Sequence, residues 1–316
     1  MNTGSISRTP ICKLNDRELP YLYIKRDDLI PYCFGGNKAR KAQLFFEEID
    51  NGDYDTVVTY GSSHSNHCRI VANMAAARNM DCILISPTEV SDNTYNSIMM
   101  DLFGAKLITV PVNEVHDTIE NTITKLKDKG HKPYFIPGGG HGNIGTRAYV
   151  QCFDEILDYE KENDIKFDYI FFASGTGTTH AGLVCGQLIH KTCHNIIGIS
   201  IARKNPRGRD VVLESIYDYL NEYQISYDSE DIQNKTVFID DYTGDGYGAD
   251  SEMISQTIQK SLISYGVALD STYTGKAFNG MLDYVKKNKL ENKRILFIHT
   301  GGTPLFFDDL NKWRRK

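Results

Sequence analysis

Lys38 stands where an amine could react. The stretch Gly35-Gly36-Asn37-Lys38-Ala39-Arg40-Lys41 follows an apolar-alternating strand, Leu22-Tyr23-Ile24-Lys25, and the charged turn Arg26-Asp27-Asp28. Paired glycines permit a tight bend and Asn37 is a good helix N-cap, which puts Lys38 in the first turn of a helix running to about Ile49. An amine near helix amides and close to Lys41 is pushed toward its neutral form, the form that attacks a carbonyl. Lys38 is therefore a candidate Schiff-base lysine. A solvated basic helix start is the plainer alternative for the same seven residues.

Three further turns carry polar groups at strand-to-helix junctions. Ser174-Gly175-Thr176-Gly177-Thr178-Thr179 follows an apolar strand and opens a helix, so its amides and threonine hydroxyls suit a phosphate. A simple helix cap would look similar. Thr300-Gly301-Gly302-Thr303-Pro304 repeats the design and predicts a second cup. Gly61-Ser62-Ser63-His64-Ser65-Asn66-His67 crowds side-chain donors at a helix start, more than capping requires, and could hold a carboxylate or a ring hydroxyl. His64 and His67 beside Cys68 have a spacing that could serve a metal. No acidic or third histidine ligand follows at useful spacing, so no metal is expected.

Short apolar strands alternate with amphipathic helices along the whole chain, which predicts βαβ units and mainly parallel sheets. After an irregular leader over residues 1–20, strands are expected at 22–25, 56–60, 82–85, 106–110, 134–136, 169–172, 196–199, 236–238 and 294–298. Helices are expected between them, including 64–78, 144–159, 178–190, 251–265 and 275–287. The Pro137-Gly138-Gly139-Gly140-His141-Gly142 break separates two α/β sheets, and the Lys38 segment is expected to join the second. The expected division is a large domain over 1–48 and 145–316 with a small inserted domain over 49–144. Every glycine-rich turn then lies beyond the carboxyl end of a strand, where open α/β sheets bind ligands.

The 316 residues, 41% hydrophobic and 24% charged with a net charge of −6, are those of a globular protein with no pull toward nucleic acid or an anionic membrane. No apolar run reaches a membrane span and the polar start lacks a signal-peptide core, so a cytoplasmic location is expected. Seven cysteines at irregular intervals point to reduced thiols.

In order, YIKRDDL, GGNKARK, SSHSNHCRIVA, PGGGHGNIGTRAYV, ASGTGTTHAGL, YTGKAFNGM and IHTGGTPLFF resemble the D-cysteine desulfhydrase and 1-aminocyclopropane-1-carboxylate deaminase family of pyridoxal-phosphate enzymes. The resemblance runs from about Arg8 to Phe307 and implies the tryptophan-synthase-β-like fold, two sheet domains with pyridoxal 5'-phosphate in the cleft. It implies that Lys38 binds the cofactor and serves as base at the substrate α-carbon. It places the phosphate at Lys41 and at Gly175, Thr176, Gly177, Thr178 and Thr179. Asn66 would meet the ring hydroxyl, and Ser65, Asn66 and His67 the substrate carboxylate. Thr274 falls at the partner of the pyridine nitrogen, with Thr300 following the same pattern, while Tyr273 and Tyr247 match active-site tyrosines. Threonine at 274, where the deaminase has glutamate, leaves the ring nitrogen neutral and favours prompt loss of a β-substituent. The resemblance thus implies α,β-elimination from an amino acid such as D-cysteine, with cyclopropane opening or β-replacement as alternatives, in a homodimer. The histidines of SSHSNHC, the histidine and third glycine of GGGHGNI, Cys33-Phe34, and the stretch from Ala202 to Asp210, ARKNPRGRD, depart from the pattern.

Overall fold

A computed structural model describes residues 8–90, 93–244 and 251–314. Two sheets organise the chain. The larger contains β1 (Ile11–Lys13), β2 (Leu22–Lys25), β7 (Tyr169–Ser174), β8 (Asn195–Ser200), β9 (Val237–Ile239) and β10 (Ile295–Ile298), in the order β1-β2-β10-β7-β8-β9. Only the β1–β2 pair is antiparallel. The smaller, all parallel, has the order β5-β4-β3-β6 from β3 (Thr56–Tyr60), β4 (Asp81–Pro87), β5 (Lys106–Val110) and β6 (Pro133–Phe135). Both are α/β sheets, and the nearly unbroken apolar runs of β7 and β10 are buried because helices cover both faces. Among the described residues, no helix is long and apolar enough to cross a membrane.

Residues 8–20 are less irregular than expected, since Ile11–Lys13 pairs with β2. Helix α1 (Asn37–Asn51) leaves the end of β2 and serves both cores. Its Leu44 joins Tyr23, Tyr149 and Phe153 under the large sheet, while Ala42, Phe45, Phe46 and Ile49 join Val57, Val71 and Met74 under the small one. The expected boundary at 48/49 therefore falls inside a shared helix.

A buried ionic cluster fixes α1 against β2 and α5 (Asn143–Asn163). Arg40 donates to Asp27 Oδ1 at 2.8 Å and to Glu155 Oε1 at 2.6 Å; Lys25 reaches Glu155 Oε2 at 2.5 Å. Tyr149 and Thr9 hydroxyls also donate to Asp27, each at 2.7 Å. Burial alone would raise the Asp27 carboxyl, but the charges of Arg40 and Lys25 and these hydrogen bonds outweigh it and hold it at about 2. The KRDD segment is thus structural.

Two glycine turns then meet backbone to backbone. Gly36, at φ +94°, leaves no room for a side chain: a Cβ would lie 2.7 Å from Thr300 O, and the Asn37 N–H donates to that carbonyl at 2.9 Å. This contact brings the start of α1 and the end of β10 to one cleft.

Candidate active site

Lys38, Ser65, Asn66 and His67, the glycine-threonine turn at Gly175, Thr176 and Gly177, and Tyr273 and Thr300 all line one cavity of about 320 Å³ beyond the carboxyl ends of the strands. Lys38 Nζ donates to Gly139 O at 3.0 Å. Burial pushes the Lys38 amine down to about 8, so a substantial share is neutral near physiological pH. Asn37 is not the N-cap that the sequence suggested. Gly36 takes that place with no side-chain cap, and Asn37 Nδ2 instead donates to Thr179 Oγ1 at 3.2 Å, tying α1 to α6 (Thr178–His190).

The α6 turn has the features of an anion cup. Its N-cap, Gly177, carries no capping side chain, so the first amides of the helix and the positive end of its dipole face the cavity. Thr179 lines this wall too. Lys41 and Thr178 sit just behind, with Lys41 Nζ donating to Thr178 Oγ1 at 2.7 Å. Burial and the charge of Lys38 hold the Lys41 amine well below its ordinary value; an anion in the cup would reverse that shift.

The second cup expected at 300–304 is filled by protein. A Cβ on Gly301 would lie 2.8 Å from Gly36 Cα, and one on Gly302 only 2.1 Å from Asp270 Oδ2, so a carboxylate already occupies that turn. Thr274 belongs to the same arrangement. It is fully buried at the start of α10 (Thr274–Lys287), its hydroxyl donates to Asp270 Oδ2 at 2.7 Å, and it is not part of the cavity lining. Thr300 does face the cavity. Tyr247 lies outside the described residues.

Asn66 opens α2 (Asn66–Ala76), with Ser65 Oγ capping the helix by accepting from Cys68 N at 3.1 Å. Two donors fix the Asn66 amide: Arg69 Nη1 at 2.6 Å and Asn96 Nδ2 at 3.1 Å both reach its Oδ1. Arginine can only donate, so the Asn66 NH₂ is left to point at a ligand. Asn96 is itself held by Arg69 Nη1 at 2.6 Å and by His64 O at 3.0 Å. Burial lowers the Arg69 guanidinium to about 10, which keeps it charged at neutral pH. Sequence reasoning missed this bracket. Arg69 follows Asn66 by one helical turn and could have been found by that spacing; Asn96 had no such signal.

The hydrogen bonds of His67 define its tautomer. Thr59 Oγ1 gives its proton to Ile136 O at 2.7 Å, so the imidazole Nε2, 2.8 Å from the same oxygen, must carry a hydrogen. The bare Nδ1 is buried without a partner among the described residues. Burial, with the charges of Lys38 and Lys41, keeps the ring neutral. Tyr60, Gly138, Gly139 and Arg203 also line the cavity, and sequence reasoning gave none of them a role there.

Comparison with known proteins identifies the family. The chain matches the family "Pyridoxal-phosphate dependent enzyme" over residues 3–301. It belongs to that family. It is 33% identical over 315 residues to the D-cysteine desulfhydrase of Serratia proteamaculans, covering 95% of this chain and 93% of the relative, and 34% identical over 313 residues to that of Yersinia enterocolitica, covering 95% and 92%. Among solved structures, an ACC deaminase homologue aligns with a TM-score of 0.88 at 32% identity, over 98% of this chain and 94% of the other. A hydrogen sulfide-producing enzyme from Fusobacterium nucleatum, at a TM-score of 0.66 and 16% identity over 95% and 94%, shares the fold.

The cavity fits pyridoxal phosphate on its own chemistry. It combines an amine shifted toward neutrality, an uncapped helix start and an amide donor of fixed orientation, and no aspartate or glutamate lines it among the described residues. Such a wall suits a dianionic phosphate.

Proposed function

We propose that this pyridoxal-phosphate-dependent lyase catalyses α,β-elimination from a small β-substituted amino acid, D-cysteine being converted to pyruvate, ammonia and hydrogen sulfide. The observation that carries this reading is Lys38: its amine faces the cavity, accepted by Gly139 O, with its pKa near 8. Bound pyridoxal phosphate supplies the electron sink that makes the α-carbon acidic. Lys38 would hold the cofactor through Nζ, and the same amine, once freed, would take the α-proton. The amides and hydroxyls of the 175–179 turn, backed by Lys41, bind the phosphate. The Asn66 NH₂ would donate to the ring hydroxyl oxygen, and Ser65, Asn66 and His67 would receive the substrate carboxylate at the start of α2, His67 through its backbone N–H because its bare Nδ1 has no hydrogen to give. Tyr273 stands on the cavity wall as proton carrier, and Tyr247 keeps its proposed role from the resemblance.

Elimination is favoured over cyclopropane opening by the lining itself. Among the described residues it offers no carboxylate to the pyridine nitrogen, so a hydroxyl is the partner available there, from Thr300 at the wall rather than Thr274 behind it. A neutral ring nitrogen stabilises a long-lived carbanion poorly and suits a substrate whose β-bond breaks at once. The likeness to an ACC deaminase homologue supports the deaminase as the second reading. The family resemblance also supports a cytoplasmic homodimer and a division into 1–48 with 145–316 and 49–144.

The test is Lys38→Ala. The visible band of lysine-bound cofactor and keto-acid formation should both vanish; normal turnover in the variant would overturn the proposal.

A further inference from the structure

One cation on the cavity wall has no task in these roles. Arg203 lies three residues beyond β8, in the stretch whose sequence departed from the family pattern. Its backbone is pinned: Ser200 Oγ donates to Arg203 O at 2.6 Å, and Asn205 N donates to Asp240 Oδ2 at 2.8 Å. Yet Nη1 of its guanidinium is buried with no hydrogen-bond partner among the described residues. Its strongest charged neighbour, Arg207, is also positive, and burial together with that repulsion lowers its pKa. Arg203 is within electrostatic reach of Tyr60, whose ring packs over Gly138 at the cavity wall. An arginine keeps its charge in such a place, so an unmatched donor there awaits an acceptor.

The other polar groups of the reaction already have partners. The substrate carboxylate meets the α2 start, the cofactor phosphate meets α6 and Lys41, and the α-amine exchanges with Lys38. The β-substituent remains. We propose that Arg203 receives this substituent as it departs, so that the site selects amino acids whose leaving group, like a thiolate, gains negative charge and is weakly disposed to leave unaided. As the α-proton passes to Lys38 Nζ, the Cα=Cβ bond forms and the Cβ–S bond breaks. Both electrons go to sulfur, which leaves as HS⁻ against the guanidinium. Water then converts the released 2-aminoacrylate to pyruvate and ammonia, with no net oxidation. This inference rests on the elimination reading.

The test uses holoenzyme and two substrates, D-cysteine and β-chloro-D-alanine. Chloride leaves readily without help; hydrosulfide does not. Arg203→Gln should lower kcat on D-cysteine about 30-fold or more and on the chloro compound less than threefold, with Arg203→Lys recovering part of the D-cysteine loss. The affinity of each apoprotein for pyridoxal phosphate should stay within threefold of the unaltered chain. Equal losses on both substrates, or a tenfold weaker cofactor affinity, would assign Arg203 to the phosphate and overturn the proposal. Unchanged D-cysteine turnover would also overturn it. If the unaltered holoenzyme made no pyruvate from either substrate, the elimination reading itself would fall and this inference with it.

Discussion

The depressed pKa of Lys38 makes a quantitative demand on how the apoprotein captures its cofactor. The free amine is the attacking species. At pH 7 a group titrating at about 8 is about 9% free, whereas at the ordinary 10.5 it would be about 0.03% free, a difference of roughly 300-fold. Between pH 7 and pH 9 the free fraction at Lys38 rises about tenfold and then saturates, while an unperturbed lysine would gain about a hundredfold and continue to climb. The assay is the rate of covalent capture of pyridoxal phosphate by apoprotein, followed by absorbance across pH 6.5 to 10, with Lys38→Arg as the blank. A profile with its midpoint near 8 and a plateau above about 9 is expected. A rate still climbing log-linearly past pH 9.5 would mean that burial does not neutralise this amine, and the reactivity argued for it would fail.

Two further perturbations probe the supports of the site. Asp27→Asn removes one charge from the buried Arg40–Asp27–Glu155–Lys25 cluster and should cost roughly 3–5 kcal/mol in chemical denaturation; a loss under about 1 kcal/mol would show that the cluster contributes little. In the unaltered chain the Asp27 carboxyl titrates at about 2 when folded against 3.8 ordinarily. Its folded value is the lower one, so its share of stability, about 2 kcal/mol, is present above pH 4 and is lost as pH falls from 4 to 2. Asn96→Ala frees the Asn66 amide from one of its two holders and should weaken cofactor affinity on the order of tenfold, read by titrating apoprotein with pyridoxal phosphate. An unchanged affinity would mean that Arg69 alone orients the amide.

The parts of the site that are local in sequence were legible. A β-branched run ended by glycine and followed by amphipathic periodicity marks a strand-to-helix turn, and α6 begins and ends at Thr178 and His190 as expected. Three such turns, at 35–38, 61–67 and 174–179, do converge on one cavity. What failed required knowing a distant partner. The 300–304 turn looks like an anion cup until Asp270 is seen against Gly302, and Thr274 looks available until its proton is seen to go to the same carboxylate. The Arg69–Asn96 pairing joins residues 27 positions apart in the chain. Strand β1 and helix α8 (Ser229–Lys235) escaped because three and seven residues carry too little periodicity to stand out.

The most direct measurement is an absorbance spectrum of the purified chain reconstituted with pyridoxal phosphate, taken before and after addition of D-cysteine, with pyruvate and sulfide assayed in the same solution. The expected result is a visible lysine-bound band that shifts on adding D-cysteine while both products appear in equal amounts. A band that forms but stays unmoved by D-cysteine, with no keto acid released, would contradict elimination from that substrate. No band at all would contradict the role given to Lys38.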